Sequence, residues 1–565
     1  MGKIETQVEF AGQSDLPLER VYRWERERAT ETFLSQPYGG GKVREWTWAE
    51  AVDESRRVAG WLKARNWPPG SRVAILSKNC AWWILADLAV WMSGHVSVPV
   101  YPSLQPHSIR QILEHSGAIA CFIGAAESKE LAEGLPPDVC RVGFPGAAGD
   151  GILSWEALCE STLPLAGSPA RSADDLATII YTSGTTGTPK GVMHTFAAFS
   201  FNAKVLAEFV GLRADDRVLS YLPLAHIVER VGVELLAITV GLHVYFSEGV
   251  DTFVKDLQRA RPTLFMSVPR LLLKFQQNVF ARMSERRLKT LFRIPVVSRM
   301  VKRRILRALG LETVRYAACG SAPLPPETLR WYRELGLNLA EGYGMTETLI
   351  THLPASGTVR AGWVGAALPG VEARLGQQSE LQIKSPMNML GYYKDPEGTR
   401  ASFLEDGFFH TGDVCEIASD GQLKIVGRIK EQFKTSKGKY VAPAPIENKL
   451  ALDPNVDACC VMGAGMANPF AVVLISDAAR VRCHDPRERA ALENSLAAVL
   501  EETNRDLDPH ERVAFLGIAD GPWSVANGML TPTLKLKRAL VEARYQGLAE
   551  EWRKGNRPVV WESLP

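Results

Sequence analysis

Three familiar patterns are missing from this 565-residue sequence, and each absence narrows what the protein can do. The most apolar run, Ala81 to Val90, contains Asp87 and is too short to cross a bilayer. The nine cysteines form no CxxC or CxxH spacing, which disfavours a structural zinc site and indicates a reducing compartment. The amino-terminal MGKIETQVEF is too polar for a signal peptide. We therefore expect a cytoplasmic protein.

Net charge is almost absent as well. The chain has 65 Lys and Arg against 63 Asp and Glu, a net charge of +2, so no global field attracts nucleic acid or membrane. We expect no nucleic-acid partner. The composition, 46% hydrophobic and 23% charged, is typical of globular proteins, and the length exceeds what one core organises. At least two domains are expected, and no pattern predicts an oligomeric state.

Strand-like and helix-like segments alternate in the first 123 residues. Apolar residues at helical spacing predict a helix within residues 46–66. The next predicted segments are the strands Arg72 to Leu76, Val96 to Val100 and Ala118 to Ile123, and the helices Ala81 to Met92 and Ser108 to His115. Such alternation favours an α/β fold with a parallel, doubly wound sheet.

A glycine-rich loop follows another strand-like run, Leu176 to Tyr181. Glycines let backbone N–H groups approach an anion, hydroxyls add donors, and a lysine adds positive charge, so the loop is typical of a polyphosphate cradle. Its candidate phosphate ligands are Thr182, Ser183, Gly184, Thr185, Thr186, Gly187 and Lys190. It is not a Walker A loop, because Thr188 and Pro189 interrupt the required Gly-Lys-Ser/Thr order. The alternative interpretation is an ordinary polar surface loop.

The loop resembles the phosphate loop of the adenylate-forming (AMP-binding) superfamily, which contains acyl-CoA synthetases, luciferases and peptide-synthetase adenylation domains. Similar motifs follow in the family's order over roughly residues 40 to 540. The resemblance implies a large N-terminal domain, residues 1–429, with doubly wound sheets and a β-rich subdomain. It also implies a small, mobile α+β domain, residues 430–565.

Two further motifs resemble the family's adenine and α-phosphate sites. In the turn CGSAP the matching residues are Gly320, Ser321 and Ala322. In YGMTE, the resemblance makes Tyr343 a flat face for the purine, Thr346 a hydroxyl for the α-phosphate, and Glu347 a ligand for Mg²⁺.

A ribose site is implied by the stretch GFFHTGD, which resembles the family's ribose motif. The carboxylate of Asp413 suits two vicinal hydroxyls, and Arg428 matches the second ribose contact. Lys430 matches the interdomain hinge. The stretch from Asp406 to Lys434 is similar to the signature of fatty acyl-CoA synthetases.

His226 lies in PLAHIVER, which is similar to the motif whose histidine sits near the acyl carboxylate and the phosphates. The alternative for a lone histidine is a structural role. The PxxHxxER pattern resembles the long-chain fatty acyl-CoA synthetase branch.

The C-terminal region carries two more matches. Residues 436–447 resemble the loop that lines the pantetheine tunnel, which assigns Gly438 and Lys439 to CoA, although Lys437 departs from the family's usual small residues. Lys535 matches the adenylation lysine, in a TPTxKxKR pattern that resembles the long-chain branch. The alternative for Lys535 is a solvated surface lysine.

The resemblance implies an ATP-dependent acyl-CoA ligase that uses Mg²⁺. A fatty acid, expected to be long-chain, would be activated to acyl-AMP with release of pyrophosphate and then transferred to CoA. His226, Thr346, Glu347 and Lys535 would be catalytic.

Other interpretations of the same motifs stay open. They are a stand-alone acyl-AMP ligase, an enzyme for a non-fatty acid and a luciferase-like oxygenase. A peptide-synthetase module would place a carrier domain after Lys535, and only 30 residues follow it. A non-enzymatic nucleotide sensor would be expected to have lost Lys190, Glu347 or Lys535.

Residues 282–307 concentrate positive charge. Ten Lys or Arg accompany the single acid Glu285, which gives +9 locally and leaves −7 for the rest of the chain. Apolar residues recur at helical spacing at Val297, Met300, Val301, Ile305 and Leu309, and Pro295 predicts two separate helices. The segment is either a solvated helical face packed on its domain or a peripheral contact with an anionic membrane.

Overall fold

The computed structural model describes residues 15–124, 134–147, 149–182, 189–525, 527–531 and 535–563. Its strands are, in chain order, β1 (Thr32–Pro37), β2 (Val43–Thr47), β3 (Arg72–Leu76), β4 (Val96–Val100), β5 (Ala118–Ile123), β6 (Cys140–Gly143), β7 (Ile152–Ser154), β8 (Leu176–Thr182), β9 (Lys190–Thr195), β10 (Arg217–Ser220), β11 (His243–Phe246), β12 (Leu264–Ser267), β13 (Tyr316–Cys319), β14 (Leu339–Glu341), β15 (Tyr343–Met345), β16 (Leu349–Leu353), β17 (Ala366–Ala367), β18 (Glu372–Leu375), β19 (Glu380–Lys384), β20 (Gly391–Tyr392), β21 (Phe409–Ile417), β22 (Leu423–Arg428), β23 (Phe433–Lys434), β24 (Tyr440–Val441), β25 (Val456–Met462), β26 (Phe470–Ile475), β27 (Leu516–Ile518) and β28 (Val559–Trp561).

The helices of the same residues are α1 (Pro17–Glu27), α2 (Trp48–Ala64), α3 (Ala81–Met92), α4 (Pro106–Ser116), α5 (Trp155–Ser161), α6 (Phe196–Val210), α7 (Ile227–Glu229), α8 (Leu236–Val240), α9 (Phe253–Ala260), α10 (Pro269–Arg282), α11 (Glu285–Phe292), α12 (Pro295–Ala308), α13 (Pro326–Leu335), α14 (Pro396–Ser402), α15 (Pro443–Leu450), α16 (Asp477–Arg482), α17 (Pro486–Arg505), α18 (Arg538–Tyr545) and α19 (Ala549–Lys554). A π-helical turn, Arg230–Leu235, joins α7 to α8. None of these helices has the length and apolarity needed to cross a bilayer.

The first large sheet has the strand order β20-β9-β8-β4-β3-β5-β6-β7. The predicted strands β3, β4 and β5 are adjacent and parallel there, with the expected bounds. At one edge β9 runs antiparallel to β8, with Thr182 opposite Lys190, which the strand–helix alternation did not predict. Only residues 183–189 separate these two strands, too few for a parallel crossover, so the connection reverses the chain.

The second large sheet has the order β14-β13-β12-β10-β11-β1-β2 and is parallel except for β2. Alternate residues of its strands enter different cores: Leu264 packs with the helices on one face, whereas Phe265 packs with those on the other. Both faces are therefore covered, as a doubly wound sheet requires.

Arg230 is a fully buried basic residue of the large domain. It has no exposed surface and forms ion pairs with Asp87 of α3 and, at 3.2 Å, with Glu234 in its own π-helical turn. It also donates to the Ser97 hydroxyl at 3.0 Å, and the rings of Trp83, Trp91 and Phe199 lie 5.1–5.7 Å away. This one side chain joins α3, α6, β4 and the π-helical turn.

The remaining described residues form the β-rich part and a smaller C-terminal region. The sheets β15-β16-β17 and β18-β19-β21-β22 precede Phe433. After it come the β23-β24 pair and the sheet β25-β26-β27-β28 with α15 to α19. The two apolar clusters of this last part contain no residue from before Phe433. The fold is thus mixed α/β, with a large N-terminal domain and a smaller C-terminal one.

The basic segment forms α11 and α12, which are separated at Pro295 as predicted. Leu309 is buried and Ile305 packs against the sheet. Met300 does not pack with them, since 65% of its surface is exposed, and Ile294 and Val296 are also exposed. The predicted apolar stripe is therefore only partly covered by the domain.

Candidate active site

The ribose-type residues meet through strand pairing. Asp413 of β21 lies opposite Arg428 of β22, whose Nε donates to Asp413 Oδ1 at 2.9 Å. The Tyr343 hydroxyl donates to Asp413 Oδ2 at 2.6 Å. Burial, and then the Asp413 charge, raise the pKa of Tyr343, so the phenol stays protonated as a donor. The buried Asp413 carboxylate is therefore held by a cation on one oxygen and by a phenol hydroxyl on the other.

The adenine-type turn begins where β13 ends. Gly320 and Ser321 line a cavity beside Tyr343, and Ala322 is exposed. Ser321 adopts a left-handed backbone conformation, with φ of 70°, and the buried Glu341 carboxylate holds the turn by accepting from the Leu324 N–H at 2.9 Å. Burial raises the pKa of Glu341 to about 7.

Gly344 explains part of the YGMTE spacing. A Cβ at this position would lie 2.2 Å from the Leu349 carbonyl oxygen, so the β15–β16 hairpin closes only on glycine. The hairpin carries Thr346 and Glu347 at its turn. The Thr346 carbonyl contacts His194 Nε2 at 2.6 Å.

Glu347 reaches the phosphate-loop strand through Tyr392. The Tyr392 hydroxyl donates to Glu347 Oε1 at 3.1 Å, and Lys190 Nζ lies 4.6 Å from the centre of the Tyr392 ring. Tyr392 belongs to β20, which pairs with β9. Sequence reasoning missed Tyr392, because a pairing between strands some 200 residues apart leaves no local signal.

The chemistry of Glu347 fits a magnesium site of the kind completed by phosphates and water. Burial raises the pKa of its carboxyl, and a nearby cation would favour the ionised form. Among the described residues no three acids or histidines cluster as metal ligands. Mg²⁺ commonly takes only one or two carboxylates beside substrate phosphates, so one carboxylate suffices.

His226 stands at the start of α7, where its Nδ1 accepts from the Val228 N–H at 3.3 Å. Burial, followed by the charge of Lys535, lowers the pKa of His226 to about 3. The ring is therefore neutral at physiological pH. Because Nδ1 is an acceptor, the proton is assigned to Nε2, which is left as a hydrogen-bond donor.

Lys535 projects from the C-terminal region into the same cleft and keeps contact with solvent. Desolvation by the surrounding protein lowers the pKa of the Lys535 ammonium group, and the positive charge of Arg428 lowers it further. Asp413, Glu431 and Glu347 oppose this effect, which identifies them as its charged neighbours. The structure thus brings together Lys190, His226, Tyr343, Glu347, Asp413, Arg428 and Lys535.

Some other predicted residues lie elsewhere in the structure, and some lie outside its described part. Ser183, Gly184, Thr185, Thr186 and Gly187 lie outside the described residues. Lys430 is exposed in the short turn after β22, and Gly438 and Lys439 lie in the exposed turn between β23 and β24. The backbone N–H of Lys439 donates to the Thr435 hydroxyl at 3.3 Å, which is a contact within the same turn.

An apolar cavity extends from the site along the second large sheet. The space in it that the centre of a water-sized sphere can occupy is about 50 Å³. Alternate residues of β12 and β13, Leu264, Met266, Tyr316 and Ala318, form one wall, and α6 and the π-helical turn lie among the other lining elements. The sequence did not predict this cavity, because its lining is dispersed over many elements.

Comparison with known proteins places the chain among AMP-binding enzymes. The family of that description matches residues 21–393, and the AMP-binding enzyme C-terminal domain matches residues 430–552. Long chain acyl-CoA synthetase 6, peroxisomal, of Arabidopsis thaliana is 31% identical, with 91% of this chain and 83% of that protein covered. A putative fatty-acid–CoA ligase, fadD11, of Mycobacterium tuberculosis is 32% identical over 69% of this chain and 76% of its own.

Solved structures with the same fold include two adenylation domains of carboxylic acid reductases. That of Mycobacterium chelonae has a TM-score of 0.80 at 23% identity, covering 95% of this chain and 91% of its own. That of Segniliparus rugosus, in complex with AMP and a co-purified carboxylic acid, has a TM-score of 0.79 at 23% identity, covering 96% and 95%.

The ribose-type contacts predict the effect of Asp413→Asn on AMP binding. The amide keeps an oxygen for Arg428 but has no negative charge, and its N–H₂ group cannot accept from Tyr343 or from a ribose hydroxyl, so we expect AMP affinity to fall about 10- to 100-fold, or about 1.4–2.7 kcal/mol. Calorimetric titration measures this directly. Asp406→Asn, which alters an exposed ion pair with Arg374, is the control and should bind AMP normally. An unchanged affinity in Asp413→Asn would remove Asp413 from the site.

Proposed function

This chain belongs to the AMP-binding enzyme family, and on that premise we propose that it is an ATP-dependent acyl-CoA ligase. It activates a fatty acid to acyl-AMP with release of pyrophosphate and then transfers the acyl group to CoA. One observation carries this proposal: His226, Glu347, Asp413 and Lys535 converge on a cleft that continues into an apolar cavity.

The proposed substrate is a long-chain fatty acid. Relatives at about 30% identity over most of the chain are named long-chain acyl-CoA synthetases. The cavity is lined almost wholly by aliphatic and aromatic side chains and glycines, which favours a hydrocarbon chain over a polar acid. Both observations support the long-chain assignment over a short or charged acid.

The adenylation step depends on placing positive charge and donors around phosphate oxygens. Attack of the carboxylate on the α-phosphate develops charge on those oxygens, so stabilisation is mainly electrostatic. Lys535 supplies a cation, and neutral His226 donates from Nε2 without adding a competing charge. Mg²⁺ held by Glu347 would supply further positive charge to the phosphates. Asp413 and Arg428 fix the nucleoside.

The thioester step requires a second arrangement of the small domain. We propose rotation about Lys430, which withdraws Lys535 and brings in the turn with Gly438 and Lys439. In the present arrangement Arg270 of α10 pairs with Asp457 of β25 at 2.8 Å, across the two domains. Both side chains are partly exposed, so this contact is weak enough to break in each cycle.

The function is tested by following pyrophosphate and thioester together. With ATP, Mg²⁺ and a panel of acids from short to very long chains, including aryl acids, we expect pyrophosphate release and CoA thioester, both greatest for long chains. Release of pyrophosphate without any thioester would establish the acyl-AMP ligase alternative. A preference for aryl acids would overturn the fatty-acid assignment.

Lys535→Ala separates the two half-reactions. The lost cation acts at the transition state of adenylation, so adenylation should fall by two or more orders of magnitude. Thioester formation from supplied acyl-AMP should remain near wild type. Lys537→Ala, a lysine two residues away, is the matched control and should preserve both steps. An equal loss in both steps for Lys535→Ala would contradict the domain rotation.

We propose that the enzyme is cytoplasmic and works at an anionic membrane surface through residues 282–307. Among the described residues no carboxylate pairs with Arg299, Arg303 or Arg304, and the exposed Ile294, Val296 and Met300 lie beside them in the chain. Each basic residue near an anionic surface contributes about 1 kcal/mol, an attraction that salt screens. Apolar side chains beside such charges favour shallow insertion into the interface.

Vesicle co-sedimentation tests this contact. Wild type should sediment with anionic vesicles at low salt and be released at high salt. The triple change of Arg299, Arg303 and Arg304 to Gln should prevent sedimentation while activity on a dissolved medium-chain acid is kept. The control triple, Arg487, Arg553 and Arg557 to Gln, makes the same charge change elsewhere and should sediment normally. Failure of the wild type to sediment at low salt would make the segment a solvated face.

A further inference from the structure

The loop that presents His226 is held by a residue from the other large sheet. The loop, residues 221–225, follows β10 of the second sheet and ends in a turn in which the His226 N–H donates to the Pro223 carbonyl at 2.8 Å. Asn79 follows β3 of the first sheet. Its amide bridges the loop from both sides: Oδ1 accepts from the Leu224 N–H at 2.9 Å, and Nδ2 donates to the Leu222 carbonyl.

The buried carboxylate of Glu229 completes this clamp. Glu229 Oε1 accepts from the Tyr221 N–H at 2.8 Å and from the Ser220 hydroxyl at 2.9 Å. Asn79 Nδ2 also reaches Ser220 Oγ at 2.8 Å and Glu229 Oε1 at 3.3 Å. Asn79 and Glu229 therefore form one network that fixes both ends of the loop.

We infer that Asn79 is a positioning residue for His226. The inference rests on the proposed function. The first sheet carries β8 and β9, which flank the phosphate loop, whereas the second sheet carries His226. Asn79 joins the two, so it sets where the His226 Nε2 donor stands relative to the phosphates. A displacement of about 1 Å at such a donor is enough to lower a rate by about 100-fold.

The network predicts a specific kinetic pattern. Asn79→Ala should lower the rate of adenylation about 10- to 100-fold, because His226 is still present but no longer held. AMP affinity should be unchanged, since Asp413 and Arg428 lie on other elements. In a His226→Ala background, Asn79→Ala should lower the adenylation rate by less than about threefold, because the donor that Asn79 positions is already gone.

Asn504 offers a matched control. Its amide makes the same two-sided bridge in the small domain, accepting from the Val513 N–H at 2.8 Å and donating to the Val513 carbonyl at 2.9 Å. Asn504→Ala should lower thermal stability without changing adenylation. Its effect, if any, should be the same with and without His226.

The experiment is a double-mutant cycle on the full chain, with pyrophosphate release, AMP affinity and melting temperature measured for each variant. Losses from Asn79→Ala and His226→Ala that simply multiply would overturn the positioning role, as would full activity in Asn79→Ala. If Asn79→Ala does not fold, Asn79→Asp takes its place in the cycle, since it keeps the acceptor for Leu224 and loses the donor to Leu222. The same two outcomes in Asn79→Asp would overturn the role. A wild type that releases no pyrophosphate with any acid would instead contradict the proposed function.

Discussion

The arrangement of the large domain depends on the contacts of one buried group, the guanidinium of Arg230. An isolated charge in an apolar interior is very costly, so Arg230 requires a carboxylate, hydroxyls and aromatic faces around it at the same time. Asp87 supplies the balancing charge from the middle of α3, an otherwise apolar helix. Burial and the nearby Asp87 raise the pKa of Glu234, and burial also raises the pKa of Asp87, so both carboxyl groups depend on the Arg230 charge beside them. These demands are met only when α3, β4, α6 and the π-helical turn are all in place.

That constraint reaches the site because Arg230 is four residues from His226. The π-helical turn that begins at Arg230 also contributes Gly232 to the cavity wall, where an added Cβ would lie 3.1 Å from Met266 Cγ. His226 and one wall of the apolar cavity are thus set by one short segment. A rigid core under this segment would keep both fixed during the proposed rotation of the small domain.

Local patterns in the sequence predicted local structure well. The strands β3, β4 and β5 and the helix α3 have the expected bounds, because each is a short apolar run between residues that end regular structure. That Asp413 and Arg428 belong to one site was expected only from resemblance, and the pairing of their strands brings them into contact. Tyr392, Asn79 and the cavity could not be predicted, because their roles come from contacts between segments far apart in the chain. The sequence could not tell whether Met300 would be covered, because helical spacing defines a face without saying what packs on it.

The position of Lys535 has an electrostatic consequence for the order of the two half-reactions. Lys535 and Arg428 are like charges in one cleft, and the negative charges of Asp413 and Glu347 act favourably on both. ATP adds several negative charges and increases the attraction for Lys535, whereas departure of pyrophosphate removes most of them. The repulsion from Arg428 then remains with less to oppose it. The Arg270–Asp457 pair is exposed and contributes little. Loss of pyrophosphate therefore weakens the attraction that holds the small domain in place. Product release in the first step is therefore expected to favour the rotation that the second step needs.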